Sequence, residues 1–405
     1  MITTTKVVNQ DSPELLRSEI DSRIIKVRPM STPVDQISRH AASRRAGSMT
    51  VEYYSVDNKP FESEVAATIG AETSRDDRNL PMEIEVVDST PFSTTETIMF
   101  TGTEIDGSPV TAYITDISGK TLNGYYTCVN AQGKSAIPQI SKGAKVVRMG
   151  RAARELDVQT EQFTAIPRKE KNFCQIFKAQ IEHSTIVKLS NKEVGWTFSD
   201  QEEAAIIDMR MGMERTFLFG NRGRLEFPGS DDVLLTGGIW KQAGKEGTFD
   251  VSNGTDADFV KICRHAFTGS NGSARKILIA GSGLIEGLHR IMPRTYADSR
   301  SKFHRWGLDF TEMVTKFGTL YVIMSETFDE CGHANDGLII DPEYLTKYSH
   351  IPFNSERLDL RRSGQRNSDA IVITEASCLV LRYPKSHMRV IGKSTDNDLQ
   401  SQLSD

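Results

Sequence analysis

The chain has 405 residues, 38% hydrophobic and 25% charged, with a formal net charge of −5. That is ordinary for a soluble globular protein and long enough for two or three packed subdomains. It excludes a strongly basic nucleic-acid binder and an acidic tail. No run approaches the roughly 20 apolar residues a membrane-spanning helix needs, and the first twenty residues lack the apolar core of a secretory signal. Five cysteines, Cys128, Cys174, Cys263, Cys331 and Cys378, are scattered with no CxxC pair. An odd, dispersed set argues for a reducing compartment and against a disulfide framework or a structural zinc.

Residues 1–60 are polar and punctuated by Pro29, Ser31, Thr32 and Pro33. They cannot bury enough apolar surface to fold alone, so they are expected to be a leader or an arm ordered by other surfaces. From about 82 to 165 the runs MEIEVV, TETIMF, VTAYIT, YYTCVN and KVVRM are rich in β-branched and aromatic residues. Gly102, Asp106-Gly107, Gly119 and Gln132-Gly133 separate them. This predicts antiparallel hairpins, followed by a strand pair at 174–177 and 185–189.

The clearest helix is expected over 200–219. Ser199 with Glu202 fits a capping box, and Gly220-Asn221 fits a stop. Ala204, Ile207, Met211 and Leu218 mark one face, while Ile206, Met209, Met213 and Phe217 cover much of the rest. Both sides should therefore be covered. A helix over 256–268, a buried strand at 276–280, a helix over 284–292 and strands at 310–314 and 320–324 come next. A short helix starts at Asp341-Pro342 and runs to 348. Strands at 370–374, 377–383 and 388–391 precede a polar tail.

The most enzyme-like stretch is KILIAGSGLIEGLHRI. A strand runs into Gly281-Ser282-Gly283, with Gly287 further on and a helix behind, which is the local shape of a dinucleotide-binding turn. No second strand ending in an acid follows at the required distance, so a packed strand-to-helix turn is preferred and no cofactor is expected. Asp329, Glu330, Cys331, His333 and Asp336 crowd one loop, without a second cluster that would make a metal site. His183, Ser184 and Thr185 alternate faces of a strand and form no nucleophile–base pair. Basic groups gather at Arg39–Arg45, Lys142–Arg154 and Arg357–Arg366. They read as salt-bridged faces, with subunit contacts or packaged DNA phosphate as the alternative.

The order of a polar arm, a β excursion, a long central helix, an α/β segment and returning strands resembles the major capsid proteins of tailed phages. Local stretches add to it. AIPRKEKNFCQIFKAQIEHST carries Asn172, Gln175 and Phe177 before Ser184-Thr185. The helix ends in Glu214-Arg215 and Phe219-Gly220, and Gly237-Gly238-Ile239 follows. Gly307 and Phe317-Gly318 precede LYVIM; Asp341-Pro342 and TEASCLVLRYPKSHMRVIG close the series. The resemblance implies an α+β protein of Hong Kong 97-like fold, divided into an arm (1–60), an extended β loop or insertion (61–165) and a peripheral domain (166–255) with spine helix 200–219. An axial domain (256–355), returning peripheral strands (356–392) and a tail (393–405) complete it. It implies a non-enzymatic, self-assembling subunit of hexamers and pentamers in an icosahedral head around double-stranded DNA, assembled in a bacterial cytoplasm and independent of membranes. Scaffolding, portal and decoration proteins are the implied partners. A removed leader is not expected, so scaffolding falls to a separate protein. A nicotinamide enzyme using GSGLIEG and a tail or baseplate adaptor ring are the alternatives.

Overall fold

A computed structural model describes residues 32–55, 60–74, 79–155, 168–184, 186–187, 198–269, 272–295, 302–305, 308–362, 364 and 366–393. Most of the expected arm, the tail, Thr185 and Gly307 lie outside them. The chain divides into two compact units, one of Met1–Ser55 with Lys169–Asp405 and one of Val56–Arg168. No helix among the described residues is long and apolar enough to cross a membrane.

The Val56–Arg168 unit is antiparallel. Its main sheet has six strands in the order Glu62–Glu64, Lys145–Arg151, Glu96–Ile105, Ser108–Ser118, Thr121–Tyr126 and Pro81–Glu85, with a short pair Glu72–Thr73 and Ala136–Ile137 apart from it. The two outer strands then meet. Val65 pairs with Val86, Ala66 N–H donates to the Glu85 carbonyl at 2.8 Å, and Val87 N–H donates to Glu64 at 2.9 Å. The sheet therefore closes on itself, leaving no free edge for another strand to join there. Alternation supplies the interior: Met82 and Ile84 point in while Pro81, Glu83 and Glu85 point out. Ile98, Phe100, Val110, Ala112, Ile114, Leu122 and Val146 fill the inside, all fully buried. Asp106-Gly107, both at positive φ (47° and 76°), make the tight turn between the two longest strands.

The other unit is built on two larger sheets, with two small two-stranded ones beside them among the described residues. A four-stranded sheet runs Ala42–Arg45, Leu345–Asp359, Ser368–Leu381, Gln175–Ser184, the first pair parallel and the others antiparallel. A seven-stranded sheet runs Lys245–Asp250, Met388–Lys393, Gly337–Ile340, Arg275–Ala280, Thr319–Met324, Leu308–Val314, Lys302–Arg305. Helices Asp256–Phe267 and Ser282–Thr295 cover one face of the larger sheet through Phe259, Ile262, Leu284 and Leu288, packed on Leu278, Val322 and Val390. Its opposite face contributes Ile277, Ile279, Ile323 and Leu338 to a second core. That core also holds Met209, Met213 and Phe217 of the long helix Phe198–Phe219 and Phe177, Ile373 and Leu379 of the smaller sheet. The long helix is thus a strut whose apolar stripe ties two sheets together.

Several expectations change. The long helix begins at Phe198, so Ser199 lies inside its first turn rather than capping it. Its buried face is Met209, Met213, Glu214, Phe217 and Leu218; Ala204 is exposed. The strand expected at 174–177 runs on as Gln175–Ser184; of the second, expected at 185–189, only residues 186–187 are described, and they are helical. The helix expected at 341–348 is a single 3-10 turn, Pro342–Tyr344, leading into the strand Leu345–Asp359. The strands expected at 370–374 and 377–383 are one continuous strand, Ser368–Leu381, in which Glu375 pairs with Lys347 at 2.7 Å on the neighbouring strand. Strand Met388–Lys393 leaves that sheet and joins the larger one beside Lys245–Asp250 and Gly337–Ile340. Phe100 offers a direct check on the barrel: Phe100→Ala should destabilise it by about 3–5 kcal/mol, measured by denaturant unfolding followed with probes in residues 60–155. A change below about 1 kcal/mol would contradict the packed interior.

Candidate functional site at the long helix

The helix Pro33–His40 starts with proline at its first position, and its N-cap residue Thr32 makes no side-chain capping bond. Its amides are satisfied from a distance. Val34 N–H donates to Glu214 Oε1 at 2.9 Å and Asp35 N–H donates to Oε2 at 2.6 Å. A carboxylate at a helix N-terminus meets both the unpaired amides and the positive end of the dipole. Val34 and Ile37 then enter the core beside Met213. Asp35 is also buried, paired with Arg39 and 3.9 Å from Arg210. Glu214 is wholly buried, and that burial pushes its carboxyl up to about 8 against the pull of the two amides. Arg215 does not share this role. One residue on, it faces outward and donates to Glu330 at 2.9 and 2.7 Å, an exposed pair of small energetic weight.

Where the long helix ends, three glycines and one asparagine make a second joint. Gly238 N–H donates to the Gly220 carbonyl at 2.8 Å. A Cβ on Gly238 would sit 2.4 Å from the Leu218 carbonyl, and one on Gly220 2.5 Å from that of Thr216. Neither position admits a side chain without backbone movement. Asn172 uses every polar atom of its amide. Its Oδ1 accepts from Gly237 N–H at 2.8 Å and Phe173 N–H at 2.9 Å, while Nδ2 donates to Leu379 at 2.9 Å and Gly237 at 3.2 Å. Gln175 accepts from Thr236 N–H at 3.2 Å. Phe177 meets Phe217 edge-on with centroids 5.7 Å apart, and Phe219 stacks on His333 at 4.6 Å.

Asp341 and Pro342 belong to a third joint at the far end of the larger sheet. Buried Asp341 accepts from Ser273 N–H and Ser386 Oγ, both at 2.7 Å, and from Glu343 N–H at 3.2 Å. Lys276, also buried, donates to the carbonyls of Ala266 and Ser386 at 2.7 Å. Burial holds Lys276 down at about 8 and His387 down at about 4. The Ser, His and Asp here form no catalytic relay, because His387 Nδ1 accepts from the Asp341 backbone N–H rather than from the serine. Phe317 and Gly318 stand apart, in the turn joining two strands of the larger sheet, where a Cβ on Gly318 would meet the Ala274 carbonyl at 2.6 Å. The candidate residues therefore fall into separate structural joints.

The glycine-rich turn has no room for a pyrophosphate. Gly283 and Leu284 N–H donate to the Ala334 carbonyl at 2.9 and 3.2 Å, and Ser282 N–H donates to Asp329 Oδ1 at 2.9 Å. A Cβ on Gly283 would lie 2.1 Å from Asn335 Oδ1. The glycines serve close approach of the chain's own loop. In that loop Glu330 is taken by Arg215 and His333 by Asp336 at 2.7 Å. Much of the basic character is likewise used internally: Arg148 and Arg151 face buried Glu96, Arg361 meets Asp359 and Asp369, and Arg366 meets Glu182. His183 lies against Phe198 and hydrogen-bonds Gln201. Sequence reasoning missed Lys276, Lys347 and Glu375, since a charge inside a strand signals burial only once its partner is known.

Glu214 makes the pH dependence specific. Above the ordinary histidine value of 6.5, His387 is neutral in native and unfolded chains alike. Between there and about 8, native Glu214 keeps a proton that the unfolded chain has lost. Stability should therefore fall as pH rises through this window, by up to about 1.4 kcal/mol per unit. Glu214→Gln should flatten that slope, and Glu214→Ala, leaving two amides unpaired, should cost about 1–3 kcal/mol throughout. Identical profiles for wild type and Glu214→Gln in pH-resolved denaturant unfolding would contradict the clamp.

No curated protein matches the sequence. Solved structures with similar chains include the capsid of cyanophage P-SCSP1u, at 8% identity and TM-score 0.49, covering 97% of this chain and 96% of that one. Mycobacterium phage Bobi follows at 8% and 0.44, covering 96% and 98%. The SrpI encapsulin complex from Synechococcus elongatus PCC 7942 stands at 7% and 0.44, covering 96% of each chain. A family model described as SU10 major capsid protein matches residues 1–394. The chain belongs to that family and is a major capsid protein of a phage shell.

Proposed function

We propose that this chain is the repeating subunit of an icosahedral head of Hong Kong 97-like fold, arranged as hexamers and pentamers around double-stranded DNA. The family match over residues 1–394 carries the reading. The geometry adds a mechanical argument. A subunit repeated across a shell must transmit load without deforming, and here one helix of 22 residues packs its apolar face against two sheets and is clamped at Glu214 and at its C-terminus. The segment before Ala42 reaches that helix through Glu214, so the polar residues 1–31 leave from a fixed point and can act as an arm against neighbouring subunits. Heterologous contacts of this kind close into rings and shells.

In this reading assembly takes place in the bacterial cytoplasm, with scaffolding, portal and decoration proteins as partners. DNA phosphate is met without sequence preference by basic side chains such as Arg44 and Arg45 on the exposed strand Ala42–Arg45. Expression of the full chain, alone and with its neighbouring genes, followed by sedimentation and negative-stain microscopy, tests it. Closed shells or sheets of hexamers are expected. A uniform small ring under every condition would point to an adaptor and overturn the proposal.

A further inference from the structure

The five cysteines are all reduced, and four of them are buried. Two that stand 204 residues apart in the sequence come together: Cys174 Sγ and Cys378 Sγ are 3.7 Å apart. Gln175 pairs with Ser377 in an antiparallel register, so Cys174, one residue earlier, lies opposite Cys378, one residue later. Opposed residues in such a ladder have Cα atoms about 4.5 or 5.5 Å apart. Both values fall within the roughly 4.4–6.8 Å that a disulfide spans. Side-chain rotation can then bring the sulfurs from 3.7 Å towards the roughly 2 Å of a disulfide. Their surroundings are Val51, Tyr53 and Val380, a small apolar cluster beside the four-stranded sheet. We infer that Cys174 and Cys378 form a reversible cross-strand disulfide when the folded protein meets a small two-electron oxidant of the peroxide class.

The two sulfurs differ in readiness. Their contact lowers the Cys174 thiol, while the same contact and burial raise that of Cys378. The contact favours Cys174 as the thiolate that reacts first. Its thiolate attacks one peroxide oxygen, the O–O bond breaks, and a sulfenic acid forms as hydroxide leaves. Cys378 sulfur then attacks the sulfenic sulfur, the S–S bond forms, and its thiol proton leaves with the displaced hydroxyl as water. Two thiols lose two electrons and one peroxide becomes two waters. The bond would close a loop of 204 residues, a length at which cross-linking restricts the unfolded chain strongly. For a shell protein this means reduced strands during cytoplasmic assembly and stapled strands after release, a timing that rests on the capsid reading; the chemistry does not.

The test uses the full-length folded protein and hydrogen peroxide. After treatment, free thiols are alkylated, the protein is unfolded, and peptides are mapped without reductant. The expected result is one intrachain peptide pair containing Cys174 and Cys378, two hydrogens lighter, reopened by dithiothreitol. The unfolding temperature should rise by several degrees, roughly, in the oxidised protein. Cys378→Ser should abolish link and shift together, and Cys128→Ser should leave both unchanged. Separate alkylation of Cys174 and Cys378 after unfolding, oxidation of Cys174 to a sulfinic acid, or a link to any other cysteine would overturn the inference. The wild-type map decides the question even if the serine variant folds poorly.

Discussion

Glu214 is an ionisable group with no access to water, and the larger unit is organised around what that requires. A carboxyl buried in a core costs several kcal/mol unless its oxygens are met. The two amides that meet it belong to the first turn of a helix 180 residues away in the sequence. The pairing satisfies both parties: the helix Pro33–His40 has no capping side chain of its own, and among the described residues no arginine or lysine is bonded to Glu214. Placing Val34 and Ile37 in the core follows from this geometry, and the parallel addition of Ala42–Arg45 to the edge of the four-stranded sheet follows from them in turn.

The other joints repeat the logic with different groups. At the helix C-terminus Asn172 replaces missing ladder bonds with four side-chain bonds, and Gly220 and Gly238 allow two backbones to cross at contact distance. In the larger sheet Lys276, Asp341 and Ser386 close a buried network in which each polar atom has a partner. Buried polar groups of this kind are costly when unpaired and specify one arrangement when paired. Stiffness in a subunit that must be identical in every copy is the property such joints supply.

Much of this was legible in the sequence. Periodicity marked the long helix to within two residues, and the runs MEIEVV, TETIMF, VTAYIT and KVVRM marked four barrel strands. YYTCVN falls mostly beyond the strand Thr121–Tyr126, and Glu62–Glu64 was not foreseen. Glu214, Asn172, Gly220 and Gly238 stood out through family resemblance, though as fragments without stated roles. What sequence could not carry was pairing across distance. Closure of the barrel depends on Val65 meeting Val86, and the strand through Glu375 is continuous because Lys347 stands beside it on the next strand. Cys174 and Cys378 read as scattered because spacing along the chain says nothing of register between strands. Capping by sequence motif failed at Ser199 for a related reason: the fit of four residues is a local signal, whereas the helix start is set by what Phe198 and its neighbours pack against.

The N-terminal segment held to the long helix is the contact that the assembled subunit must preserve. Electron cryomicroscopy of the particle, at a resolution that separates side chains, would test both the shell and the clamp in one map. The account predicts closed shells in which every subunit carries the Glu214 carboxyl against the amides of Val34 and Asp35, with residues before Thr32 running to a neighbouring subunit. Shells in which the segment Pro33–His40 lies away from the long helix, with Glu214 bonded elsewhere, would contradict it.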